Sequence, residues 1–313
     1  MLEYIIVLLI FLCFYIKGKQ KESQEKKNHL NILIVSDIHL SYENLEKLKN
    51  WVKKNKKKFD LIFDAGDFCN LEGEELLKKD YEYMDIVNQL QKISKNVLYI
   101  PGNHDTKYLF DSIPADSENP EEWEPLPVKV LNNYEKNLYE RNIHNKIIKI
   151  HEKNLYVTGF GGSVDGYLFD NREIIEWPGF PFKDTEYGKG FTNLMNGWDK
   201  IKKDENDTLI ILTHVGPALL RTTVENVKPI NESNRIQTGS ESSYALMSTP
   251  RYQNEDAPLL WIHGHAHSQK GLTDLGNIPV LNPGALCSGR FSVLNLSLKD
   301  DKWVIDNIEF HKL

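Results

Sequence analysis

The sequence is poor in cysteine and has no excess of basic residues. Three cysteines, Cys13, Cys69 and Cys287, stand among 313 residues. That number excludes a disulfide framework, so the fold must rely on a hydrophobic core. The formal net charge is -7, whereas a broad nucleic-acid-binding surface needs a basic excess. We therefore expect a core-stabilised globular chain whose partner is not nucleic acid.

The chain also lacks an apolar run of the length of a standard transmembrane helix. Residues 4–16 are continuously apolar, but a spanning helix needs ~20 such residues, and this run has the length of a signal peptide. No basic residue precedes it and no small-residue cleavage site follows, which argues against a cleaved signal. Lysines between residues 17 and 27 favour keeping that side in the cytosol.

These features divide the chain into three parts. We expect residues 1–16 to be a hydrophobic anchor or signal segment, residues 17–30 a charged linker, and residues 31–313 one folded domain. An anchor that keeps the domain on the cytosolic face of a membrane is favoured, and a secretory protein and a soluble cytoplasmic protein are the alternatives. Membrane association would then run through residues 4–16.

Hydrophobic patterns predict a layered α/β fold for the domain. Strand patterns at Asn31–Ser36, Asp60–Phe63 and Val97–Ile100 alternate with helix patterns at Glu43–Lys58 and Glu74–Ser94. This alternation implies right-handed crossovers and a parallel start to the sheet. The second half is richer in strands, predicted at Leu155–Thr158, Thr208–Leu212, Leu259–Ile262, Ile278–Leu281, Phe291–Leu296 and Trp303–Phe310, with helices near Asn193–Lys203 and Glu241–Met247. We predict an α/β/β/α sandwich of two mixed β-sheets flanked by helices, with long irregular loops at 107–128 and 162–191.

Five short polar blocks each follow the carboxyl end of a predicted strand, the edge at which α/β sheets bind ligands. They are Asp37-Ile38-His39, Gly66-Asp67, Gly102-Asn103-His104-Asp105, His214 and Gly264-His265-Ala266-His267. Aspartates that converge without a counter-charge are costly, so divalent cations are their natural partners. Oxygen and imidazole ligands favour manganese, iron or zinc over calcium. Two metals about 3.5–4 Å apart can share a carboxylate, hold a hydroxide and clamp the oxygens of an in-line displacement.

The same blocks, in this order, resemble the motifs of the calcineurin-like metallophosphoesterase superfamily over about residues 31–297. Further segments resemble a microbial branch of predicted phosphoesterases: Thr158–Ser163, Gly239-Ser240, Asn282-Pro283-Gly284 and Gly289-Arg290-Phe291. The resemblance implies a first metal on Asp37, His39 and His267. It implies a second on Asn103, His214 and His265, with Asp67 bridging both.

The resemblance also implies roles for two residues that do not bind metal. His104 would contact the phosphate and either stabilise charge or protonate the leaving oxygen. Asp105 would orient His104. The implied activity is a hydrolase that cleaves phosphomonoesters or phosphodiesters of small substrates with hydroxide held by a dinuclear centre.

Two other functions compete with this hypothesis. A scaffold of the same fold that has lost turnover would act by protein binding, although every metal-ligand position and His104 are filled here. A metal-dependent nuclease is disfavoured by the acidic net charge.

Several further residues have open roles. Cys69 is either a metal neighbour or a small buried filler, and the aromatic segment Trp177–Phe182 is either a substrate-facing lid or a cover for the sandwich. Arg172, Arg221 and Arg290 are candidate phosphate clamps. His263 is expected to be structural.

Overall fold

The structure is a computed structural model that describes residues 28–110, 129–131, 141–170, 173–177, 179–202, 204–226, 235–254 and 256–313. The predicted anchor at residues 4–16 and the linker up to residue 27 lie outside these ranges, as does Arg172. Within them, no helix combines the length and the apolar character that crossing a membrane requires.

Five helices and sixteen strands make up the secondary structure of the described ranges. The helices are α1 (Tyr42–Lys54), α2 (Glu82–Gln91), α3 (Asp184–Ile201), α4 (Glu241–Met247) and α5 (Pro250–Gln253). The strands are β1 (His29–Val35), β2 (Leu61–Asp64), β3 (Val97–Tyr99), β4 (Lys129–Leu131), β5 (Lys146–His151), β6 (Leu155–Phe160), β7 (Gly166–Asp170), β8 (Glu173–Trp177), β9 (Thr208–Thr213), β10 (Val224–Asn226), β11 (Arg235–Gln237), β12 (Leu260–Ile262), β13 (Gly271–Leu275), β14 (Ile278–Asn282), β15 (Arg290–Lys299) and β16 (Lys302–Lys312).

Two large mixed sheets confirm the predicted fold class. One has the strand order β16-β15-β1-β2-β3 and the other β13-β14-β12-β9-β6-β5-β4. As predicted, β1, β2 and β3 run parallel, and the closing hairpins β13–β14 and β15–β16 are antiparallel. A third, four-stranded sheet of order β10-β11-β7-β8 was not predicted.

Alternating side chains build three hydrophobic layers. Ile32 of β1 and Ile210 of β9 point into the layer shared by the two large sheets. Their neighbours point outward, Leu33 onto a layer shared with α1 and α2, and Ile211 onto a layer shared with α3. The period of two in the strand side chains therefore produces the α/β/β/α order. Trp303 of β16 is buried within the central layer.

Two predicted elements differ from the structure. The single helix expected at Glu74–Ser94 is a 3-10 turn (Gly73–Leu77) followed by α2. The loop expected at 162–191 was wrong, since that range contains the hairpin β7–β8 and the first two turns of α3. Gly188 and Gly190 weaken the helix pattern there. Both are buried at close contacts, and a Cβ on Gly188 would lie 2.4 Å from Ser242 Cβ.

Candidate metal centre

All five polar blocks lie directly beyond the carboxyl ends of β1, β2, β3, β9 and β12. Because these strands belong to the two stacked sheets, their ends bring the blocks together at one edge of the sandwich. Their ligand atoms fall into two groups that share Asp67.

The first group contains the ligand atoms of Asp37, His39, Asp67 and His267, all within 4.8 Å of one another. Nε2 of His39 lies 3.0 Å from Nε2 of His267. Nε2 of His267 is in turn 3.2 Å from Oδ1 of Asp37. Two imidazole nitrogens and two carboxylates at these separations form a donor set suited to manganese, iron or zinc.

The second group contains Asp67, His214 and His265, again within 4.8 Å. Asn103 joins it through its side-chain oxygen, which lies 3.0 Å from Nε2 of His214. The shared residue is Asp67, whose Oδ2 is 3.2 Å from Nε2 of His214 and 3.6 Å from Nε2 of His39. That oxygen is buried, with an imidazole of each group close to it. It therefore faces both groups at once.

Backbone and amide acceptors set which imidazole nitrogen faces the site. Nδ1 of His214 donates to the carbonyl of Ala65 at 2.7 Å. Nδ1 of His39 donates to Oδ1 of Asn70 at 2.8 Å, with the Cys69 carbonyl at 3.1 Å. With Nδ1 committed to an acceptor, Nε2 is the nitrogen that can bind a cation, and the ring cannot rotate away.

The charges of the site are strongly coupled. Burial opposes the charge of the imidazoles, but nearby carboxylates and hydrogen bonds together outweigh it, chiefly Asp67 at His214 and Asp37 at His267. They raise the pKa of both rings to about 9. Burial and the His214 charge lower the pKa of His265 to about 3. In the metal-free protein, protons on His214 and His267 thus balance the carboxylates. A divalent cation bound here would supply that positive charge in place of the protons.

Several site residues have backbone conformations that L-amino acids rarely adopt. Asp37, His39, Asp67 and His265 have φ values of 53°, 49°, 60° and 66°. Such residues concentrate at functional sites, where surrounding contacts hold the strain. Here the N–H groups of Asp37 and His39 donate to the carbonyls of Gly66 and Asp67. Gly66 has a φ of +97°, and a Cβ there would lie 2.7 Å from Gly102 N.

The expected contact between Asp105 and His104 is wrong. The carboxylate of Asp105 accepts four backbone N–H groups, from Asp67, Phe68, Cys69 and Gly102, at 2.8–3.0 Å. It thus ties together the two loops that carry Asp67 and Asn103. The His104 ring is held instead by the carbonyl of Leu71, 3.1 Å from its Nδ1. This leaves Nε2 of His104 available to a substrate, in a ring packed edge-on against His39 at 5.2 Å.

Asn70 and Asp64 belong to the site although neither was singled out from the sequence. Asn70 binds His39 twice, because its Nδ2 also donates to the His39 carbonyl at 3.1 Å. Asp64 accepts the Gly66 N–H at 3.1 Å and is fully buried, and burial raises the pKa of its carboxyl well above its ordinary range. Asn70 follows Asp67 by three residues, and this spacing was the available signal.

A second set of contacts fixes the loop that carries His265 and His267. Asn282 donates to the carbonyl of Ala266 at 3.1 Å. Arg290 donates to the carbonyl of His267 at 3.1 Å, so this candidate phosphate clamp supports the backbone of the loop. Glu225 accepts the Ser268 N–H at 2.9 Å.

Among the described residues, the side chains of the remaining candidates belong to neither ligand group. His263 is fully buried, with Nε2 3.1 Å from Oγ1 of Thr222, as expected for a structural histidine. Cys69 is buried too, and burial together with Asp105 and Asp80 raises the pKa of its thiol. Phe182 packs against Phe160 at 5.6 Å within the outer core, so this part of the aromatic segment covers the sandwich. Arg221 is exposed at the start of a 3-10 turn.

A layered sandwich with carboxylates and imidazoles gathered at its strand ends defines the metal-dependent phosphoesterase class. The model of the calcineurin-like phosphoesterase family matches residues 30–269. The chain therefore belongs to this family and is of the phosphoric ester hydrolase type.

Solved structures agree with the fold. Protein TT1561 of Thermus thermophilus is 20% identical, with a TM-score of 0.50 over 90% of this chain and 98% of its own. A dimetal phosphatase from Danio rerio is 10% identical, with a TM-score of 0.52 over 90% and 98% of the two chains. A search of curated protein sequences gives no match.

Proposed function

We propose that the protein hydrolyses phosphomonoesters or phosphodiesters at a dinuclear metal centre. The observation that carries the proposal is Oδ2 of Asp67, a buried carboxylate oxygen that lies 3.2 Å from Nε2 of His214 and 3.6 Å from Nε2 of His39, so that it faces imidazoles of both ligand groups. A carboxylate in this position bridges two cations in two-metal hydrolytic sites. Asp37, His39 and His267 would hold one cation, and Asn103, His214 and His265 the other.

The bound ions would activate water and neutralise charge on the phosphate. The protein would position the substrate and donate a proton to the leaving oxygen. Oδ1 of Asp67 accepts the His104 N–H at 2.8 Å, so the bridging residue also fixes the backbone of the proton-handling one. Leu71 holds Nδ1 of the His104 ring. Nε2 of that ring is then the nitrogen that stabilises the phosphate or protonates the leaving oxygen.

The test compares substrate hydrolysis with and without metal. Purified protein with manganese is expected to hydrolyse p-nitrophenyl phosphate or its bis ester, and a chelator is expected to abolish the activity. Asp67→Asn is expected to lose both turnover and the second bound ion. Asp301→Asn is the matched control, because Asp301 is an exposed acid in the β15–β16 turn.

If the protein is a scaffold, no hydrolysis is expected. Metal-loaded wild-type protein that binds two ions but is inert toward a broad panel of mono- and diesters would establish the scaffold in place of the enzyme. Manganese, iron and zinc are compared in the same assay, because the oxygen and imidazole donor set suits all three.

A further inference from the structure

Two lysine side chains lie on the segment that follows His104 and on the segment paired with it. Residues 71–79 and 104–108 run alongside each other and are joined by hydrogen bonds. Leu71 N donates to the His104 carbonyl at 3.0 Å, His104 Nδ1 donates to the Leu71 carbonyl, and Thr106 Oγ1 donates to the Lys78 carbonyl at 2.5 Å. The position of one segment is therefore fixed relative to the other.

These contacts bring two ammonium groups to one aromatic ring. Nζ of Lys79 and Nζ of Lys107 each lie 5.5 Å from the ring centroid of Tyr108. The Tyr108 side chain is 41% exposed. Cation–π contacts of this kind restrict long lysine side chains that otherwise move freely in solvent.

The two ammonium groups are not balanced by acids within the described ranges. No carboxylate of those ranges forms an ion pair with Lys79 or Lys107. The acids nearest in sequence are Asp80 for Lys79 and Asp105 for Lys107. Oδ1 of Asp80 accepts the Glu82 N–H at the start of α2, and the Asp105 carboxylate accepts backbone N–H groups. Two like charges restrained around one ring favour an anionic ligand that contacts both.

The distance to the metal centre suits a second group on one substrate. Tyr108 is four positions after His104 in the chain, which limits their Cα atoms to about 14 Å apart. Their segment forms a 3-10 turn at Lys107–Leu109, so the separation is shorter than this limit. A lysine side chain is several ångströms long and spans part of that distance.

We propose that Lys79, Lys107 and Tyr108 form a subsite for a second phosphate on the leaving group of the substrate. This inference rests on the proposed phosphoesterase function, because it places the leaving oxygen at His104. The substrate class is a phosphoester whose alcohol portion carries another phosphate, such as a bisphosphate. Tyr108 holds the lysines apart from competing acids, and the lysines bind the second phosphate.

The experiment compares adenosine 3′,5′-bisphosphate with adenosine 5′-monophosphate and adenosine 3′-monophosphate as substrates of the manganese-loaded protein. The kcat/KM of wild type is expected to be about tenfold higher for the bisphosphate than for either monophosphate, because two solvent-exposed charge-assisted contacts have about this effect. The double variant Lys79→Ala/Lys107→Ala is expected to lose this preference. Lys78→Ala is the matched control and is expected to keep it, because Lys78 contributes only its carbonyl.

Two results would overturn the subsite. One is a wild-type protein that hydrolyses p-nitrophenyl phosphate but shows no preference for the bisphosphate. The other is a double variant that keeps the preference. If no phosphoester is hydrolysed, the proposed function fails separately, and calorimetric binding of adenosine 3′,5′-bisphosphate tests the subsite alone. Equal affinity of wild type and double variant then refutes it, and weaker binding by the double variant supports it.

Discussion

The contacts between Asn70 and His39 are predicted to raise the affinity of the candidate site for metal. Replacing Asn70 by alanine removes the acceptor 2.8 Å from Nδ1 of His39 and the donor 3.1 Å from the His39 carbonyl. Outer partners of metal-bound histidines are typically worth 10–100-fold in metal affinity. The Cys69 carbonyl, 3.1 Å from the same Nδ1, remains in the variant. We therefore expect a loss at the lower end, about tenfold or ~1.4 kcal/mol.

The assay is calorimetric titration of manganese into chelator-stripped protein. Asn70→Asp keeps an acceptor for the His39 ring and is expected to retain most of the affinity, which separates the ring contact from the backbone contact. Asn88→Ala, an exposed asparagine of α2, is the matched control. Circular dichroism checks that each variant is folded. Unchanged manganese affinity in folded Asn70→Ala would refute the argument that Asn70 fixes His39.

Three further predictions concern turnover, packing and pH. His104→Asn should lower kcat by about 10²–10⁴-fold while manganese affinity stays within twofold. Gly102→Ala should weaken manganese binding and lower the melting temperature, because its Cβ would lie 2.1 Å from Oδ1 of Asp67. Metal-free protein should lose stability from about pH 6.5 to 9, since His214 and His267 have pKa values raised from 6.5 to about 9 and stabilise the fold while protonated.

Each of these three has a result that contradicts it. If His104→Asn lowers the affinity for manganese together with kcat, His104 is a metal ligand. Gly73→Ala adds a Cβ in open space but at a φ of +55°, so it introduces backbone strain without a clash. It is the control for manganese binding, and an equal loss of affinity in the two variants would exclude the clash with Asp67. For the pH prediction, chemical unfolding is measured with and without manganese. Equal slopes of stability against pH in both states would show that His214 and His267 do not lose protons to the metal.

The positions of the ligands could be predicted because they depend on strand periodicity. Short apolar runs locate β1, β2, β3, β9 and β12, and the polar block after each must lie at the carboxyl end of its strand. Parallel pairing of β1 with β2 and of β9 with β12 then brings those ends to shared edges. The grouping of residues around Asp67 was implied by the family resemblance, because pairing within each sheet does not determine how the two sheets face each other.

The contacts that orient the ligands could not be predicted, because most of their partners are backbone atoms. Ala65 and Leu71 hold His214 and His104 through carbonyl groups, which any residue type supplies. The first two turns of α3 were missed for a related reason. Gly190 lowers helix propensity, but a Cβ there would lie 2.4 Å from the Phe160 ring. Tertiary packing therefore requires the residue that local propensity disfavours.

The Asp105 side chain connects two loops of the candidate site. The sequence places Asp105 next to His104, which suggests a contact between their side chains. The carboxylate is instead fully buried beneath the turn, where it accepts N–H groups at both Asp67 and Gly102. Those loops follow β2 and β3 and carry Asp67 and Asn103. Asp105 therefore sets the spacing between ligands rather than the orientation of a single ring. An aspartate is suited to this position because its two oxygens accept several N–H groups at once.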